Sequence, residues 1–344
     1  MSEEKRRIQM TGGSTLIVSL PISWAREMGI SQGDEVTLLQ RRDKSILISP
    51  WSKVGKDTPK VTIQLIPNEP PENIVRSLIA HYLVGYDVIT LASQKGFSTE
   101  DRKWIKDTIR LSLIGMEVVE ESSDRLILQS LLNYTELTLP NAIQRMSKII
   151  RSMQKDVVSA MKEGNPDYAR DVIQRDNEVD RFYLLTVRQI KSAIRDENLT
   201  KKIGIEHQRD CIGYRLIVKS LERIADHAEK IAVNILQIEG IEQVSKAFPE
   251  IFELSDLSRR VFDLSIECLS KMDIELANLT ISEAKKVVSM EGEIIENILN
   301  GDLDMVEKTC IRSALESFGR IAEYGADIAE VTINMSVKGP GEED

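Results

Sequence analysis

The chain has 344 residues, of which 42% are hydrophobic, 29% charged and 5% aromatic, so it can bury two or three substantial cores. No apolar run approaches the roughly 20 residues needed to span a bilayer, which excludes a membrane-spanning role. The net charge of −10 repels nucleic acid on average, so any DNA contact has to come from a locally basic surface.

The first predicted elements are short strands. Ile8 to Met10 leads through Thr11-Gly12-Gly13-Ser14 into the alternating Leu16 to Leu20, and Pro21 opens a helix that Gly29 closes. Turns at Ser31 to Asp34 and at Asp43 to Ser45 separate strands at Glu35 to Gln40 and Ile46 to Ser49. Four short strands cannot bury a core alone, so this module, residues 1–51, is expected to dimerise by intertwining. Lys5, Arg6 and Arg7 precede it, and Arg26, Arg41 and Arg42 add charge that a dimer would double. Such a surface suits phosphate contacts; the alternative is a dimerisation module whose basic residues only solubilise it.

A polar linker follows, and residues 60–132 then read as a small α/β segment in the order βαβαββ. Its strands fall at Val61 to Ile66, Asp87 to Ala92, Glu117 to Glu120 and Arg125 to Leu131, and its helices at Pro71 to Leu83 and Ser98 to Ser112. Beyond Leu137 the chain is helical, with breaks at Gly164-Asn165-Pro166, Asn198-Leu199, Glu239-Gly240, Met272-Asp273 and Asn300-Gly301. Long helices joined by short loops are antiparallel neighbours. The segment Leu221 to Ala232, LERIADHAEKIA, recurs as Phe318 to Ala329, FGRIAEYGADIA. The six helices therefore form two three-helix units, residues 138–240 and 243–337. The fold class is multidomain and mainly α, with a β-rich N-terminal module and a small α/β middle segment.

Glu222 and Asp226 stand four residues apart, as do Asp176 and Asp180 on the preceding helix, so each pair projects from one helix face. Four facing acids need compensation. One solution is a hard cation such as magnesium, manganese or iron held between helices of a bundle. The other is pairing with Arg175, Arg181, Arg223 or Lys230 on solvated faces. In the second unit Gly319 replaces Glu222 and Glu323 replaces Asp226, while Glu291 is present and Ile295 stands where its partner acid would fall. Only Glu291 and Glu323 remain of a second site, so one occupied site is expected.

The chain contains no zinc-peptidase, Walker, dinucleotide-binding or nucleophile-elbow motif, so no enzymatic activity and no organic cofactor are expected. His227 adjoins Asp226 but points about 100° away from it on a helix. Cys211, Cys268 and Cys310 are isolated and follow no apolar leader, which predicts buried thiols in a reducing cytoplasm.

Residues 7–50, with Thr11-Gly12-Gly13-Ser14, Leu20-Pro21, Trp24, Gly33-Asp34 and the closing Ile46 to Pro50, resemble the AbrB/SpoVT swapped-hairpin family. That resemblance implies an interlocked dimer that binds DNA. Residues 138–337, through Glu222 to Asp226 and the pair Asp176 and Asp180, resemble the PhoU family of phosphate-uptake regulators, which implies metal sites for iron, zinc or related ions. The combination is similar to archaeal PhoU-like proteins and implies control of phosphate transport or of its genes. Expected partners are promoter DNA, a second copy of the chain, and a phosphate transporter subunit or signalling protein.

Overall fold

The computed structural model describes residues 3–40, 45–50, 58–66, 69–133 and 136–337. The chain divides into two compact units, Met1–Pro59 and Lys60–Asp344.

The first unit is two separate antiparallel hairpins and one short helix. Strand β1 (Gln9–Thr11) pairs with β2 (Thr15–Ile17) around Gly12 and Gly13, both at positive φ (62° and 79°), a conformation that side chains disfavour. Helix α1 is Ile22–Glu27, and β3 (Val36–Gln40) pairs with β4 (Ile46–Pro50). Among the described residues of this unit only Pro21 is buried. Ile8, Met10, Leu16, Leu38 and Ile46 are each at least 64% exposed, so the described residues of this unit include apolar side chains but form no core.

The second unit begins with a four-stranded sheet in the order β5-β6-β8-β7. Strands β5 (Lys60–Leu65) and β6 (Val88–Ser93) are parallel and are connected by α2 (Pro71–Val84). Helix α3 (Thr99–Ser112) leads to β7 (Met116–Glu121) and β8 (Arg125–Ser130), a hairpin with a register shift between Val118 and Glu120. Ser98 and Asp101 cap α3 reciprocally, satisfying amides that would otherwise lack partners. Leu78, Tyr82, Ile89, Leu91, Ile105, Ile109, Leu126 and Leu128 form the core under this sheet.

The helical part is a tandem pair of three-helix bundles. The first is α4 (Leu139–Glu163), α5 (Pro166–Arg195) and α7 (Asp210–Ile235), with the short α6 (Glu197–Lys202) between the last two. The second is α9 (Glu250–Lys271), α10 (Ile274–Asn300) and α11 (Met305–Ser336), preceded by α8 (Ile241–Ala247). The break expected at Asn198-Leu199 falls inside the helix α6; Gly204, at φ 82°, ends that short run, so the long helix expected from about Ile203 begins at Asp210 as α7. Pro249, which cannot donate to a helical ladder, separates α8 from α9. Residues from all six long helices contribute to one apolar cluster, with α7 packed along α11.

The sheet and the first bundle are joined through α5, against which α2 and α3 pack. Arg188 of α5 is 0% exposed. Its Nη1 donates to the carbonyls of Tyr82 (2.5 Å) and Tyr86 (2.9 Å), and its Nη2 pairs with Asp87 Oδ1 at 2.5 Å. The guanidinium also lies 4.7 Å from the centre of the Tyr82 ring. Burial of this charge is compensated on every side.

Candidate metal centre

Helices α5 and α7 are neighbours in the first bundle, and the four-residue spacing on each turns their acids into the same groove. Carboxylate oxygens of Asp176, Asp180 and Asp226 all lie within 4.8 Å of one another. Asp180 and Asp226 are exposed and Asp176 is half-buried. Asp176 Oδ1 is buried without a hydrogen-bond partner among the described residues, so its desolvation is uncompensated there. Glu222 borders this group but forms an ion pair with Lys219 one turn before it. Lys219 in turn lies 5.1 Å from the centre of the Tyr183 ring.

The charges are crowded enough to alter their own titration. Burial first, then Asp180, Glu229, Asp226 and Glu222, pushes the Asp176 carboxyl up to about 7. Burial, Glu222 and Asp180 raise Asp226 to about 6. Asp180 is raised by burial and Glu222, with Lys219 opposing. Glu229 adds to the crowding, raising Asp176, Asp180 and Asp226, without belonging to the three-carboxylate group. It stands three residues after Asp226 and so returns to the same face.

Of the cations named as compensating partners, Arg175, Arg181, Arg223 and Lys230, none forms an ion pair with Asp176, Asp180 or Asp226 among the described residues. Arg175 binds Asp156 and Asp171, Arg223 donates to the Tyr324 hydroxyl at 2.9 Å, and Arg181 Nε is buried without a partner. An all-oxygen cluster with clashing charges and an unsatisfied oxygen fits a hard divalent cation.

The corresponding place in the second bundle is built differently. A Cβ added to Gly319 would sit 1.7 Å from Glu291 Oε2, so the Glu291 carboxylate fills the space a side chain at 319 would need. Burial, Glu316 and Glu323 raise the Glu291 pKa. Glu323 pairs with Arg320 at 2.8 Å. Glu291 and Glu323 are not gathered into a ligand cluster among the described residues.

His227 points away from the acids, towards α11. Its ring is 5.9 Å from that of Tyr324, and its Nδ1 is buried without a partner. In the N-terminal unit Lys5, Arg7 and Arg26 are exposed and Arg6 pairs with Glu4; Arg41 and Arg42 lie outside the described residues. Cys211, Cys268 and Cys310 are free thiols and all buried. Among the described residues no helix is long and apolar enough to cross a membrane.

The PhoU domain family matches residues 143–235 and 251–332, just over half of the chain and centred on the two bundles. The chain belongs to the PhoU family. Residues 9–56 match the family described as antidote-toxin recognition MazE, bacterial antitoxin, in keeping with an AbrB-like module. Neither family match reaches residues 57–142. A phosphate-specific transport system accessory protein PhoU homolog of Caulobacter vibrioides is 34% identical over 119 residues, covering 34% of this chain and 48% of the relative. The chain therefore spans about half the length of that relative. The homolog of the same name from Pseudomonas putida is 22% identical over 201 residues, covering 55% of this chain and 74% of the relative. The crystal structure of the phosphate transport system regulatory protein PhoU from Streptococcus pneumoniae superposes with a TM-score of 0.50 at 15% identity. It covers 57% of this chain and 92% of that one, so the two share a fold.

Proposed function

We propose that this protein is a dimeric cytoplasmic regulator of phosphate uptake, in which the PhoU bundles hold a metal ion and the N-terminal module pairs two chains and contacts DNA. The match to PhoU over both bundles, in a chain whose relatives are named as phosphate-specific transport accessory proteins, carries this reading. Asp176, Asp180 and Asp226 would hold the cation, with Glu222 and Glu229 beside them. The ion would neutralise the acids and brace α5 against α7. The apolar hairpins of the N-terminal unit favour a second copy as the cover they lack. In that dimer the exposed Lys5, Arg7 and Arg26 are doubled, which supplies the local positive surface that the net charge of −10 denies the chain as a whole.

Gel-shift titration against promoters of phosphate-transport genes at low salt tests the DNA half. The expected result is retardation that weakens on Arg7→Ala and Arg26→Ala substitution; no retardation of any such promoter removes DNA from the reading.

A second reading is favoured by the word accessory in the relatives' name and by the acidic charge. In it the bundles dock on the ATPase subunit of a phosphate transporter or on a signalling protein, and the N-terminal module serves only to dimerise. Copurification separates the two: transporter subunits retained by residues 60–344 support docking, whereas DNA recovered with the intact chain supports the first reading.

A further inference from the structure

Helices α4 and α9 face each other across the junction of the two bundles, and between them lies a cavity of about 330 Å³. Its lining differs in sign from the chain around it. Lys155, Lys162 and Arg259 contribute three positive charges against the single acid Asp256, in a protein whose net charge is −10. Lys155, Ser159 and Lys162 follow one another at helical spacing along one face of α4. Arg259 Nη2 bonds Asp256 Oδ1 at 2.8 Å, which leaves most of the guanidinium's donors for another partner. Lys162 Nζ lies 4.7 Å from the centre of the Phe252 ring, and neither Lys155 nor Lys162 forms an ion pair with a carboxylate among the described residues.

The inner wall makes the same demand from the buried side. Gln154 is only 4% exposed, and its Nε2 is buried without an acceptor. An unsatisfied amide in the interior keeps its desolvation penalty uncompensated, and the pocket it lines has N–H donors in surplus. What would satisfy such a set is a compact ligand made of acceptors. The cavity lies at the small end of ligand sites, which run from about 300 to 1,000 Å³, too small for a polymer and large enough for a phosphate group with water or a short organic tail.

We propose that this cavity binds phosphate, either the free ion or the phosphate group of a small metabolite. Lys155, Lys162 and Arg259 supply charge, Ser159 donates a hydrogen bond, and a turn of the Gln154 side chain brings its buried amide to the ligand. The choice of phosphate among oxyanions rests on the phosphate-uptake reading; the basic, donor-rich lining does not. The site is separate from the acid cluster on α5 and α7 and places the ligand at the seam of the two bundles, where α4 and α9 would both sense it.

Calorimetric titration of the full chain, stripped of metal by chelator and kept in chloride buffer, tests this with inorganic phosphate, glycerol phosphate and sulfate as probes. We expect saturable binding of a phosphate compound that weakens roughly tenfold or more in Lys155→Gln/Lys162→Gln, weakens less in Gln154→Leu, and is unchanged in Asp176→Asn/Asp226→Asn. Saturation by inorganic phosphate supports the free ion as ligand; saturation by glycerol phosphate alone supports a phosphorylated metabolite. Three results overturn the proposal: no saturable binding of either, binding that the lysine pair does not move, or binding that sulfate matches. A chain that regulates phosphate uptake without binding either probe refutes the pocket and leaves the regulatory reading standing; a chain that binds phosphate but has no effect on uptake does the reverse.

Discussion

His227 and Tyr324 hold the same place in the two copies of the repeat, and they meet ring to ring between α7 and α11, 5.9 Å apart and tilted by 33°. Equivalent residues touch in this way where a local twofold passes between the copies. Burial first, then the nearby Lys230, Arg320 and Arg223, lowers the His227 pKa from its ordinary 6.5 to about 4. The unfolded chain therefore takes up this proton before the folded one does. The histidine's contribution to stability is complete above about pH 6.5 and is lost as pH falls towards 4. Replacing it with Phe is expected to flatten that loss, as read from urea unfolding midpoints at pH 7 and pH 5; an unaltered pH dependence would contradict the assignment.

Asp176 and Asp226 titrate in the opposite sense. Their pKa values rise on folding from 3.8 to about 7 and about 6, so the metal-free protein gains stability as pH drops below 7, when the folded chain holds protons the unfolded chain has released. Asp176→Asn should remove most of this gain. In the wild type a divalent cation should abolish it too, with protons released on binding below pH 7. A stability profile indifferent to both changes would rule out the crowding described.

Metal analysis distinguishes the acids by role. Asp176→Asn combined with Asp226→Asn is expected to abolish retention of a divalent cation through dialysis, while Glu222→Ala, whose carboxylate is engaged by Lys219, should weaken it less. Lys219→Ala removes a positive charge beside the cluster and should tighten binding several-fold. Retention unaffected by the aspartate pair would sink the site.

At the second copy, Gly319→Ala adds a methyl group where the Glu291 carboxylate sits. That carboxylate ends a flexible side chain and is raised in pKa by burial and neighbouring acids, so it should swing out to solvent at little cost. Alanine gains about 1 kcal/mol over glycine within a helix. The net change is expected to lie within about 1 kcal/mol of zero on the stabilising side; a denaturation midpoint showing a loss of more than about 2 kcal/mol would mean that Glu291 is locked in place.

Arg188→Met is expected to cost about 2–3 kcal/mol, since it removes the donor to the Tyr86 carbonyl and the partner of the part-exposed Asp87. Arg188→Lys should recover only part of this, because one ammonium cannot reproduce the guanidinium's two-pronged contacts. Hydrogen exchange should accelerate in α2 and β6 before it does in α7.

Much of the fold was legible in the chain. Proline, capping residues and the repeat placed α4, α5, α10 and the four strands of the sheet within a few residues, because those signals act locally. The interruptions at Gly204 and Pro249 were not anticipated, since the apolar period runs on through both. At the site, spacing brought out the two acid pairs, but it gave no hint that Lys219 would hold Glu222 or that Glu222 would stand outside the group of three aspartates. Both depend on how side chains turn within a shared groove. No local pattern sets Arg188 apart from the other helical cations; only the docking of the sheet on α5 buries it. The basic cavity combines residues about a hundred positions apart, a juxtaposition that no local pattern encodes.

The contacts of Arg188 make α5 a single shaft serving two stations. Asp176 and Arg188 stand twelve residues apart on one uninterrupted helix, about 18 Å along its axis. At one end the shaft carries half of the acid cluster; at the other it is bolted to the sheet by a fully buried charge. A rotation of α5 that repositioned its carboxylates would have to turn the sheet with it.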